Sequence, residues 1–67
     1  MSQVHLFQDA LNALQLEMQH HAIPTDSNLI IGKLEAQLST PDNKHYFGAG
    51  TNQVEAVLAL AKKIGQK

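Results

Sequence analysis

The chain contains no cysteine, arginine or tryptophan, and its 67 residues include one Tyr and two Phe. Without cysteine, neither disulfides nor thiolate metal sites can support the fold. Without arginine, the chain lacks the side chain that most often reads guanine and grips phosphate. Charge of either sign is scarce: five basic residues, all Lys, face six acidic ones, for a formal net charge of −1. That balance argues against a nucleic-acid binder, which carries a basic stripe. Lys62, Lys63 and Lys67 form the one basic cluster, and at the end of a helix they match its dipole. Apolar runs fall far short of the ~20 residues a membrane span needs. The opening Met1-Ser2-Gln3-Val4-His5 lacks the basic and then unbroken apolar pattern of a secretory signal. The expectation is a cytoplasmic protein without membrane contact.

What the chain does have is a 43% hydrophobic composition, enough for one domain over residues 1–67. A domain this short buries only about 60% of its unfolded surface. Such domains gain stability from a disulfide, a metal or a partner subunit. The first is excluded by composition, which turns attention to oligomerisation and to the histidines.

Val4, Phe7, Leu11, Leu14, Met18 and His21 recur at alternating gaps of three and four, the seam of a helix that packs along its length. Leu6, Ala10 and Ala13 widen this stripe, while Gln8, Asn12, Gln15 and Gln19 fall on the opposite face. The spacing predicts a helix over 3–21, capped by Ser2 and stopped before Pro24. Pro24-Thr25-Asp26-Ser27 offers caps for a second helix over 26–39, with Ile30, Leu34 and Leu38 on one face. Gly32 within it costs roughly 1 kcal/mol relative to Ala and suggests a close helix crossing. Ser39-Thr40-Pro41-Asp42-Asn43 carries turn chemistry, and Lys44–Gly50 reads as an ordered loop. A third helix is expected over 52–64, opened by the Asn52/Glu55 pair of a capping box. Its inward stripe is Val54, Val57, Leu58, Ala61 and Ile64, and Gly65 ends it. The fold class expected is therefore all-α, a compact bundle of three short helices.

The apolar stripe of the first helix is broader than one short neighbour can cover. It predicts a homodimer through Val4, Phe7, Leu11, Leu14, Met18, His21, Val57, Leu58 and Ile64, two-fold closure being the commonest solution. Lys44, His45, Tyr46 and Phe47 are the expected surface for another protein partner.

Chemistry-bearing motifs are sparse. The four histidines, His5, His20, His21 and His45, lack the spacing of a zinc site. His20 and His21 are better explained as cations in a last helical turn. Ser2, Ser27 and Ser39 sit at element ends, and the carboxylates are scattered. Gly48-Ala49-Gly50-Thr51-Asn52 leads into a helix start but lacks the Gly-Lys-Ser/Thr of a phosphate loop. The expectation is a non-enzyme with no cofactor and no metal.

His20-His21-Ala22-Ile23, followed by Pro24-Thr25-Asp26 and the apolar Leu29, Ile30 and Ile31, resembles the YejL-like family of small bacterial proteins. The resemblance covers about a third of the chain. Gly32 falls one place out of the family's register, and Pro41–Gly50 departs from its pattern. The resemblance implies a compact helical homodimer and carries over neither an activity nor functional residues.

The function these readings favour is a non-catalytic interaction or regulatory module acting as a homodimer. Two alternatives compete with it. One is a nucleic-acid-associated regulator whose second and third helices form a degenerate helix-turn-helix. The other is a histidine-based binder of a metal or small ligand.

Overall fold

A computed structural model of the chain describes residues 3–66, with side chains described from residue 6. It is an α+β fold. Helix α1 spans Gln3–His20, strands β1, β2 and β3 span Asn28–Ile31, Glu35–Ser39 and His45–Ala49, and helix α2 spans Gln53–Gly65. The strands form an antiparallel meander in the order β1-β2-β3. The helices lie on one face of this sheet, with α2 against β2 and β3 and α1 packed chiefly on α2.

The expected all-α bundle of three helices is thus overturned, and with it the helical architecture that the family resemblance implied. The first and third helices form within a residue of their expected bounds. The segment 26–39 does not form a helix: it is a β-hairpin. Two periods coincide there. Ile30, Leu34 and Leu38 have helical spacing, but Glu35–Ser39 also alternates, with Ala36 and Leu38 buried and Glu35 and Gln37 exposed. The alternation decides, because β-branched Ile30 and Ile31 favour a pleated surface and Gly32 weakens a helix interior. Once this hairpin exists, His45–Ala49 has a partner, and the expected loop becomes β3 in register with β2, Gln37 facing Phe47. The helix-turn-helix reading falls with the second helix.

Local signals explain the boundaries. The segment Gln3–His20 contains neither Gly nor Pro. It ends in a Schellman motif, in which the Ile23 N–H donates to the Met18 carbonyl at 2.8 Å and the Ala22 N–H to that of Gln19 at 3.2 Å. Ala22 takes the left-handed conformation this requires, with φ 54°. Pro24–Ser27 closes a turn rather than capping a helix: the Ser27 N–H and hydroxyl both donate to the Pro24 carbonyl. Between β2 and β3, Thr40 and Lys44 bracket a three-residue loop in which the Asn43 N–H donates to the Thr40 carbonyl at 3.0 Å and Asn43 has φ 69°. This is a type I turn followed by a left-handed residue.

The core is Ala10 and Leu14 from α1, Ala36 and Leu38 from β2, and Ala56, Val57, Leu60, Ala61 and Ile64 from α2. Gly48 on β3 lets α2 approach: a Cβ there would stand 2.2 Å from the Leu60 nitrogen. Glycine on a strand often marks such backbone proximity. Gly65 stays helical, and Gln66 is the C-cap, its N–H donating to the Lys62 and Lys63 carbonyls.

Candidate functional site

The helices run parallel. Leu6 and Phe7, near the start of α1, share a groove with Thr51–Glu55 at the start of α2. Ala13 and Glu17, further along α1, share a second groove with Ala61, Lys62 and Gly65, late in α2. The first groove encloses about 800 Å³, the second about 330 Å³.

Three elements build the larger groove. Helix α1 contributes Leu6 and half-buried Phe7, the β1–β2 turn contributes Lys33, and the approach to α2 contributes Thr51 through Glu55. Capping chemistry fixes the α2 wall. The Asn52 side chain accepts from the Glu55 N–H at 2.9 Å, and Glu55 Oε1 accepts from the Thr51 hydroxyl at 2.7 Å and the Thr51 N–H at 3.3 Å. These donors hold the Glu55 carboxyl below its ordinary range, the Thr51 hydroxyl contributing most. The β1–β2 turn is tied to the same end, because the Gly50 N–H donates to the Leu34 carbonyl at 2.9 Å.

Six large apolar side chains among the described residues are exposed, and of these Leu6 lines the groove. Leu6 is 56% exposed and Leu34 58%. Leu58, 45% exposed, lies one helical turn beyond the groove-lining Val54. A second apolar area occupies the outer face of the sheet, where the register sets Ile30, Gln37 and Phe47 side by side and Ile30 and Phe47 are exposed.

The residues expected to form a dimer interface divide into three groups. Leu14, Val57 and Ile64 are buried in the protomer's own core. Phe7, Leu11 and Met18 are half-buried against it, while His21 and Leu58 are exposed. The side chain of Val4 lies outside the described residues. Of the expected partner surface, Lys44, His45 and Phe47 are exposed, whereas Tyr46 turns inward and packs on the core. Lys33 of this groove carries no signal in the sequence, where a helix over 26–39 sets Ile30, Leu34 and Leu38 on one face and gives Lys33 no role.

The three histidines whose side chains are described do not assemble. His20 ends α1, His21 follows it in the turn, and His45 opens β3; the His5 side chain lies outside the described residues. Among the described residues no group of three His, Cys, Asp or Glu could hold a metal ion. His21 Nε2 lies 3.4 Å from Glu17 Oε2, an i,i+4 pair that is ionic only when the imidazole is protonated. His45 Nδ1 lies 3.0 Å from the Ser39 hydroxyl across the β2–β3 ladder. Gly48 and Gly50 do not cradle an anion: a Cβ on either would strike α2, on Gly50 at 2.5 Å from the Glu55 Cβ. Among the described residues no helix is long and apolar enough to cross a membrane.

Comparison with protein-family models, with curated proteins and with solved structures gives no match to this chain.

Proposed function

We propose that this chain is a non-catalytic interaction module that works as a homodimer in the cytoplasm, presenting its remaining surface to another protein. The observation that carries this reading is the exposure of Leu6, Leu34 and Leu58 on a folded protomer. Fully burying a leucine is worth about 1.5–3 kcal/mol, so three such side chains left in water favour association. The non-catalytic part of the proposal rests on the placement of the polar pairs. Ser39 and His45 meet on the open face of the sheet, and His21 and Glu17 form a surface helix pair.

Light scattering across a wide dilution series tests the proposal. The expected mass is twice the chain's 7.3 kDa, falling only at high dilution. A protein that stays monomeric throughout overturns it.

A further inference from the structure

We infer that a second copy of the chain adds to the free edge of β1, strand against antiparallel strand across a two-fold axis, so that two three-stranded sheets become one. This rests on the homodimer proposed above and names its seam.

The ladder fixes which way each backbone group points. The Gly32 N–H donates to the Glu35 carbonyl at 2.7 Å, in register with Ile30 opposite Gln37 and Asn28 opposite Ser39. Hydrogen-bonded pairs alternate along an antiparallel ladder. Asn28, Ile30 and Gly32 therefore face β2, and Leu29 and Ile31 turn their N–H and C=O groups outward. The far side of β2 agrees: the Gly50 N–H donates to the Leu34 carbonyl and the Thr40 N–H to that of Lys44, both at 2.9 Å, which leaves Glu35, Gln37 and Ser39 for β1. Strand β1 ends the sheet, and the outward groups of Leu29 and Ile31 have no backbone partner among the described residues. Such a row accepts one kind of occupant, another extended strand. The devices that block an edge are missing, since Asn28–Ile31 carries no charge, no Pro and no bulge.

Register and charge make that strand a second β1. With Ile30 on the axis, Leu29 lies opposite the partner's Ile31 and Ile31 opposite the partner's Leu29. This is the register in which the outward groups of both residues pair with each other, and Ile30 meets its own copy on the outer face. The flanks match as well. Asp26 lies two residues before β1 and Lys33 two residues after it, both exposed. An antiparallel seam brings the start of one strand to the end of the other, so Asp26 stands beside the partner's Lys33 at both ends. The other edge, β3, is the poorer seam: Lys44 precedes it, uncharged Gly50, Thr51 and Asn52 follow it, and Gly48 offers no side chain to pack. Pairing β1 with the partner's β3 would set Lys33 beside the partner's Lys44, two like charges.

Amide hydrogen exchange at high and low protein concentration tests the seam, with sedimentation equilibrium giving the mass. In the dimer the Leu29 and Ile31 amides are expected to slow at least ~10-fold, while those of His45 and Phe47 stay fast. Ile30 is 54% exposed, so Ile30→Lys spares the core and sets like charges opposite each other. It should raise the dissociation constant at least ~10-fold, with Phe47→Lys leaving it unchanged and circular dichroism checking both folds. Because the chain has no cysteine, Ile30→Cys supplies a second test. Directly opposed residues that do not share hydrogen bonds lie about 4.5 Å apart at Cα, within reach of a disulfide. Diamide should therefore convert Ile30→Cys, but not Phe47→Cys, into a covalent dimer. If the unaltered chain is monomeric at every concentration, the homodimer itself is wrong. If it dimerises while the Leu29 and Ile31 amides stay fast, or Ile30→Cys fails to cross-link, the homodimer stands and this seam is wrong. Protection of His45, Phe47 and Ala49 in their place would move the seam to β3.

Discussion

Gly48 of β3 and Leu60 of α2 meet backbone to backbone: a Cβ added to Gly48 would stand 2.2 Å from the Leu60 nitrogen and 2.7 Å from its Cα, with the Ala56 carbonyl oxygen also at 2.7 Å. No flexible side chain lies between them to give way. This approach seats Val57 and Leu60 on the sheet and closes the core over Leu38.

Gly48→Ala should therefore destabilise the fold by about 3 kcal/mol or more, the upper range for overpacking, since backbone must move. In a domain of this size that lowers Tm by roughly 12 °C or more. Gly32→Ala is the control, because a Cβ there meets nothing nearer than the Glu35 carbonyl oxygen at 3.4 Å. Thermal unfolding of both variants should separate them clearly; equal small shifts would show that α2 does not sit this close to β3.

Leu38 is fully buried at the centre of the cluster, whereas Leu16 is 62% exposed. Truncating Leu38→Ala should cost about 2–5 kcal/mol, the transfer free energy plus the cavity. Leu16→Ala should change stability by no more than ~0.5 kcal/mol. Urea midpoints measured side by side would refute this placement of α1 and β2 if the two losses were similar.

Ala22 holds the left-handed position that ends α1, with φ 54°, and its side chain is exposed. The conformation costs a non-glycine residue roughly 1–2 kcal/mol. Glycine removes that cost but makes the unfolded chain more flexible, a loss of about 0.4–1 kcal/mol. Ala22→Gly should therefore stabilise the protein by ~0.5–1 kcal/mol, read as a rise in urea midpoint. A fall would mean that α1 does not end in a Schellman turn.

Two carboxylates make stability depend on pH in a calculable direction. Glu55 is held low by the Thr51 hydroxyl and N–H, and Asp42 by the Thr40 hydroxyl. Groups with a folded pKa below the unfolded one contribute stability above the unfolded value, about 4, and lose it as pH falls through the folded value. The urea midpoint should thus hold steady at neutral pH and decline below about pH 4.5. Glu55→Gln should lower the midpoint at neutral pH and flatten part of that decline. An unaltered slope in the variant would remove Glu55 from the account.

The parts legible from the sequence are those where one local signal has no competitor. The a/d spacing from Phe7 to Met18 gives α1, the Asn52/Glu55 pair opens α2, and Thr40–Asn43 turns the chain as its Pro, Asp and Asn suggest. The first hairpin was hidden because Ile30, Leu34 and Leu38 fit a helical face as well as a pleated one. Its turn added no warning: Lys33 and Leu34 both have negative φ, without the Asn-Gly or Asp-Gly pair that marks the primed turns. Reading that segment as helix also disguised the groove. The spacing of the first and third helices singles out Phe7 and Leu58, but a helix over 26–39 gives Lys33 no role. Partner strands distant in sequence resolve such a tie, and local periodicity carries no information about them.

The way α1 is attached sets the order in which the molecule comes apart. The sheet is held by α2, and α1 is held chiefly by α2 rather than by the strands. Helix α1 can therefore lift away and leave the three-stranded sheet with α2 behind, whereas releasing α2 strips both the sheet and α1 of their support. Backbone amides of α1 would then exchange through a cheaper, partial opening, and those of α2 and β2 only when the whole chain opens. A face built partly from Leu6 and Phe7 of α1 is in this sense assembled last and lost first.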